Sequence, residues 1–353
     1  MEKGDKMAWE HIITEILIWF GLYLIVAISL NIEYGYGGIP NFGRALAVLI
    51  GAIAVGGIVN RILIAMFHVT GSFATASGIV KTTVNEMIAS NPAFGLALFF
   101  LNLLIAGILG VIVGAVFILP SAKLSEDYLA ITLLAISEVA FMVSYYNPDI
   151  IGGYYGVSTP DVLAFVPGEY RVFVFTAIIL VLAFLVYLFA ERLLNTPYGR
   201  ILKAMRENEH VVKAYGRDIM MLRIKTVAIG SGIASIAGAL YSMYTANVIA
   251  SSFSRVEWTF YPFLMILLGG LGNNRGVMAG VFAFVTAKVL LTTYKYEIRN
   301  ALNLPFEAVW LEYILFGIIT LLILYYRPEG LIKERPIVTK PIKVRCRSRF
   351  KEH

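Results

Sequence analysis

The chain has 353 residues, 59% of them hydrophobic and 15% charged, with a formal net charge of +6 and one cysteine. Soluble domains carry roughly 25% charged residues, so an ordinary soluble domain is excluded. The lone cysteine, Cys346, leaves no disulfide within the chain and no thiolate metal cluster.

Apolar runs near the ~20 residues that a bilayer crossing needs are expected at 12–30, 39–65, 93–119, 128–146, 172–190, 226–249, 276–294 and 310–326. A shorter run, 259–272, is a ninth span or a re-entrant segment. The fold class is therefore all-α. A polytopic helical membrane protein of eight to ten spans forms one domain over 1–353, with no soluble domain large enough to fold alone. The leader mixes Lys3 and Lys6 with Glu2, Asp5 and Glu10, and its apolar core runs on without a small-residue cleavage site. It does not read as a signal peptide.

In chain order, the first interruption is GYGGIPNFGRA (35–45), with four glycines and a proline beside a long apolar run. Unwound backbone at membrane depth is tolerated where it is buried in protein or lines a polar cavity, and such breaks often flank a solute path. The alternative is a tight interfacial turn. Glu33 and Arg44 flank the break and can pair. The next spans carry Gly110 and Gly114, spacing that suits close helix packing, and then Glu138 in mid-span. A carboxylate there costs on the order of 2.5–3.5 kcal/mol on insertion scales, so it should face protein or water. IGGYYGVSTP (151–160) follows Asn147 and Pro148 and reads as a second break or a turn.

Residues 195–216, NTPYGRILKAMRENEHVVKAYG, form a polar, cationic insert between apolar runs. Thr196 can cap a helix starting at Pro197, Gly216 can end it, and Glu209 and Lys213 sit four apart in the favourable order. One or two short surface helices with a basic face are expected, either as a solvated loop or as a docking element. Beyond it, Ser231, Ser235 and Ala239, and Gly238, Ser242 and Ala246, form small-residue stripes. LLGGLGNNRG (267–276) is the third interruption, and Gly272, Gly276 and Gly280 follow. Lys288 reads as a lysine snorkelling toward the outer surface, with no role assigned.

Charge sets the orientation. Residues 191–225 hold eight Lys/Arg against four Asp/Glu, and 327–353 hold nine against three. Together they are more positive than the whole chain, so both belong in the cytoplasm. The tail suits anionic lipid better than nucleic acid. Five spans before residue 191 put the N-terminus outside; a sixth would put it inside. There is no H-E-x-x-H and no Gly-Lys dipeptide, hence no zinc-protease helix and no Walker loop. No catalytic residue, metal or cofactor is assigned, and any ATP would be hydrolysed by another chain.

Over residues 22–332 the chain resembles the permease subunits of branched-chain amino acid importers of the ATP-binding-cassette class. The likeness rests on LNIEYGYGGIPNFGRA, on GAVFILPSAKLSEDYLAITLLAISEV with Asp127-Tyr128-Leu129-Ala130 and Glu138, and on the insert. AGALYS, LLGGLGNNRGVMAG and the closing RPEGL (327–331) continue it. The resemblance implies a non-enzymatic membrane permease working with four kinds of partner: a second homologous permease, two cytoplasmic ATPases, an external solute-binding protein and lipid. It implies ATPase coupling through Gly199, Arg200, Lys203, Ala204, Arg206, Glu207 and Gly216. It implies a solute path at Asn41, Phe42, Gly43, Glu138, Gly152 and Gly153. The chain departs from the family at Glu33 and Arg44, where glutamines are common. Further departures are Ile151, where threonine is frequent, and Phe141, where arginine is. Relatives for urea, short amides or sugars are the alternative substrate classes; an ion-gradient-driven transporter or channel is the alternative mechanism.

Overall fold

The computed structural model describes residues 2–301, 308–327 and 329–334; Cys346 and the tail beyond Glu334 lie outside them. Among the described residues, seven helices are long and apolar enough to cross a membrane. The protein is an all-α polytopic membrane protein.

Helix α1 (Glu2–Leu30) runs on through a π-helical turn, Asn31–Tyr36. After the loop at 37–43 the chain turns back as α2 (Arg44–Ala52), which continues through a π segment, Ile53–Val59, into α3 (Asn60–Met66). Then come α4 (Phe73–Ser90), α5 (Pro92–Ile118), α6 (Glu126–Tyr146), the single turn α7 (Pro148–Ile151) and α8 (Gly168–Leu194). The polar insert folds as α9 (Pro197–Glu207) and α10 (Glu209–Ala214). Helix α11 (Ile219–Thr245) follows, then a π turn, Val256–Phe260, leading into α12 (Tyr261–Gly269), and finally α13 (Asn274–Ala301) and α14 (Ala308–Tyr326).

Helix α11 is the centre, packing most extensively on α5 and next on α2. Its small residues make this possible. A Cβ on Gly238 would lie 1.9 Å from the Val48 carbonyl, and one on Gly51 1.9 Å from the Ser235 carbonyl. Gly110 and Gly114 meet Ser235 and Ser231, and Ser235 Oγ donates to the Ala106 carbonyl at 2.7 Å. Close backbone approach replaces the hydrophobic drive that lipid removes. The stripes read from the sequence are therefore packing faces.

The two ends of the bundle differ. At one end, β1 (Val157–Ser158) pairs antiparallel with β2 (Asn247–Val248). Helix α4 lies across this two-strand ladder: Lys81 Nζ donates to the Ala246 carbonyl at 2.8 Å, and Asn85 accepts from the Asp161 amide at 2.8 Å. This helix is absent from the sequence reading, because Lys81, Thr82, Thr83, Asn85 and Glu86 make it too polar for a span. At the other, basic end lie α9, α10, the end of α1 and the α12–α13 turn. The 259–272 segment belongs to a helix whose π and α parts together cover 256–269. At 1.5 Å per residue that is about 21 Å, shorter than a full crossing, and it packs along α13.

Lys288 corrects an expectation. Its side chain is 9% exposed and does not snorkel. Its Nζ donates to Tyr23 Oη at 3.1 Å and pairs with Glu257 at 3.3 Å. It also lies 4.9 Å from the Trp19 ring centre and 4.8 Å from that of Tyr261. Aromatic faces attract a desolvated ammonium by their quadrupole, so the lysine ties α1, α12 and α13 together.

Candidate functional site

The break after α1 sits inside the bundle. Glu33 lies in the π turn and Arg44 opens α2; they form an ion pair with both side chains fully buried. Asn41 Nδ2 donates to Glu33 Oε2 at 2.9 Å, and the Gly43 amide donates to Asn41 Oδ1 at 3.0 Å. Gly230 on α11 leaves room for Glu33, since a Cβ there would lie 1.9 Å from its Oε1. Arg44 Nε and Nη1 and Glu33 Oε1 have no hydrogen-bond partner. A cavity of about 20 Å³, room for one water, is lined by Asn41, Gly43, Leu133, Ile136, Gly114 and Ser231 among others.

Phe42 faces outward from this knot, its ring 4.6 Å from Phe263 and 6.5 Å from Phe260. Gly43 sits against the Leu133 carbonyl, 2.6 Å from where its Cβ would be. Five residues further along α6 is Glu138, paired with Arg255 at 3.3 Å. Both partners keep solvent-sized exposure, 30% and 50% of their side chains. Asn41, Phe42 and Gly43 thus lie together, and α6, on which Gly43 rests, carries Glu138 further along. Gly152 and Gly153 lie elsewhere: they turn the chain with φ of 75° and 56° after α7, beyond the far end of α6.

The insert divides into two faces. Leu202, Met205 and Val212 are buried, while Arg200, Ala204 and Glu207 are exposed on α9, and Val211 and Tyr215 are exposed beyond the extended Asn208. Thr196 stands at the N-cap but its hydroxyl donates back to Leu193 at 2.6 Å, and Asn208 caps α10. Gly199 fits only as glycine, because a Cβ would lie 2.0 Å from the Leu194 carbonyl. Gly216 takes φ 75° after α10. Tyr198 Oη and Thr226 Oγ1 are 2.7 Å apart. Burial pushes the Tyr198 phenol up, which keeps it neutral and holds α9 to α11. Glu209 pairs with the buried Arg223 of α11, whose Nη1 also donates to the carbonyls of Ala122 (3.0 Å) and Leu124 (2.7 Å).

Residues 12–324 match the family model described as branched-chain amino acid transport system, permease component. The chain belongs to this permease family. It is 63% identical over 94% of its length to the probable branched-chain amino acid transport permease protein LivM of Methanocaldococcus jannaschii, covering 96% of that protein. Against the high-affinity branched-chain amino acid transport system permease protein LivM of Escherichia coli the identity is 24%, over 88% of this chain and 68% of the other. The probable LivH permease of M. jannaschii is 22% identical over 83% of each chain. No solved structure matches.

Several residues of the permease escaped the sequence reading. Arg255 and Glu257 sit in an apolar context, yet each supplies the partner of an ionisable group on another helix. Glu334 was absorbed into a basic tail. It takes Lys203 on one carboxylate oxygen and Arg206 on the other, at 2.8 and 2.7 Å. An acid set among the basic residues after RPEGL was the available signal.

Proposed function

We propose that this permease forms one half of the translocation path of an ATP-driven importer for leucine, isoleucine and valine, the other half coming from a second, homologous permease. The observation that carries the reading is the Glu138–Arg255 pair, 30% and 50% exposed at mid-span; Arg255 leads into the π turn whose Phe260 ring lies 6.5 Å from that of Phe42. Each charge left in lipid would cost on the order of 2.5–3.5 kcal/mol. This flank therefore faces another polar surface or water, and the enclosed cavity at Asn41 is far too small to hold an amino acid. The likeness to both LivM and LivH proteins supports two different permease chains. Gly152 and Gly153 serve the path from its outer mouth.

Two cytoplasmic ATPases would grip the face made by Arg200, Ala204 and Glu207, extended by Val211 and Tyr215. Gly199 and Gly216 set the ends of that segment, and an external binding protein would deliver the solute at the β1–β2 end. The basic insert then lies in the cytoplasm of a cell-membrane protein, as does the C-terminus.

Single cysteines test the path in a Cys346→Ser background. Phe42→Cys and Glu138→Cys in the assembled importer should react with a small water-soluble thiol reagent, and leucine should slow the reaction. Phe184→Cys, on the exposed side of α8, should stay inert. Equal inertness at all positions would contradict the assignment.

A further inference from the structure

The segment after α14 is a strap. Leu331 N donates to the Leu268 carbonyl at 2.8 Å and Ile332 N to the Gly269 carbonyl at 3.0 Å. The Lys333 carbonyl accepts from Asn273 Nδ2 at 3.1 Å. Glycines make the fit possible: a Cβ on Gly330, which has φ 75°, would lie 2.4 Å from the Gly270 amide. The strap ends by placing Glu334 between Lys203 and Arg206 of α9.

Arg206 also donates through Nη1 to the carbonyl of Gly35, in the π turn that ends α1. Lys203 lies 5.0 Å from the Tyr36 ring centre. Gly38 backs onto Arg206, a Cβ there falling 3.2 Å from its Cα. The Gly272 amide donates to Asn31 Oδ1 at 3.1 Å, and Asn31 Nδ2 donates to Asn274 at 2.9 Å. Three pieces distant in sequence thus meet at one carboxylate: α9, the broken end of α1 and the α12–α13 turn. The Arg206 side chain is 25% exposed and the Glu334 side chain 24%, so both are largely committed to their own chain.

We propose that Glu334 and Arg206 are positioning residues that fasten α9 to the break at 35–44 as one rigid joint. Movement of the coupling helix is thereby delivered to Glu33, Asn41 and Arg44. Arg206 serves this joint, and the partner-facing surface is the opposite one. One carboxylate with an oxygen on each of two cations fixes a geometry that a single bond would leave to swivel. The proposal rests on the importer reading above.

The experiment uses the complete importer, with its partner chains, in vesicles. The unmodified protein must first give ATP-dependent leucine uptake; if it does not, the importer reading fails and not the joint. Glu334→Gln and Arg206→Gln should leave assembly and ATP hydrolysis within about twofold. Uptake per ATP should fall at least about tenfold. The exchange R206E/E334R should recover part of that ratio. An unchanged ratio in both single variants would overturn the proposal, as would loss of ATPase binding in Arg206→Gln. A second arm replaces the ion pair by a covalent tie. Lys203→Cys with Glu334→Cys, in the Cys346→Ser background, is joined by a short bifunctional maleimide. A rigid joint predicts that uptake per ATP is low before the cross-link, because the Glu334 carboxylate is gone, and rises once it forms; uptake that falls further on cross-linking would show that the two surfaces part in each cycle.

Discussion

Removing one charge of the Glu33–Arg44 pair strands the other where neither side chain is exposed. Breaking a buried pair costs about 3–5 kcal/mol, whereas replacing both members by neutral groups is often close to neutral. Glu33→Gln alone should therefore sharply lower the melting temperature in detergent, and E33Q/R44Q should regain most of it. Two equal losses would mean that the charges themselves are not what holds the break. Lys288 follows the same logic: Lys288→Met leaves Glu257 facing the Tyr23 hydroxyl with its cation gone. Because the Glu257 side chain is 35% exposed and water relieves part of the lost partner, a smaller loss of about 1–3 kcal/mol is expected, partly recovered in K288M/E257Q. The first pair was legible because its members flank one short motif. The second was not, because Trp19, Tyr23, Glu257 and Tyr261 come from other elements. A lysine inside an apolar run looks the same from sequence whether it reaches for water or for an aromatic cage.

At the scale of elements, the packing of α11 separates glycines that must stay from those that need not. Gly238→Ala would push a methyl into the Val48 carbonyl and should cost about 1–3 kcal/mol as overpacking, read as a lowered melting temperature. Gly107→Ala on α5 meets nothing within 4 Å and should be neutral or gain up to about 1 kcal/mol of helix preference. The spans themselves were legible from length and hydropathy, which the bilayer imposes on any sequence that crosses it. Helix α4 was not, since it docks beside the β1–β2 ladder through Lys81 and Asn85 and is not an apolar run. The two-helix division of the insert was also open until Asn208 was seen capping α10.

For the whole molecule, two ends of opposite character must lie on opposite sides of the membrane. Five of the seven membrane-length helices precede Pro197, so a cytoplasmic insert, as proposed above, would put the N-terminus and the β1–β2 end outside. Tyr155 and Tyr215 are each 83% exposed, one at either end. In intact cells carrying Cys346→Ser, a membrane-impermeant thiol reagent should label Tyr155→Cys and spare Tyr215→Cys. The reverse pattern would invert the topology. The family was legible from ordered motifs along most of the chain, while the departures at Glu33 and Arg44 fall at the break itself. There the structure shows a private ion pair.

The central claim is that this chain conducts solute but takes its energy from partner ATPases, and reconstitution measures that directly. Purified alone in lipid vesicles, the permease should neither hydrolyse ATP nor accumulate leucine, isoleucine or valine. With the ATPases, the second permease and the binding protein added, it should accumulate them only when ATP is supplied. Accumulation by the isolated chain on an imposed proton or sodium gradient would contradict the account and identify an ion-driven transporter.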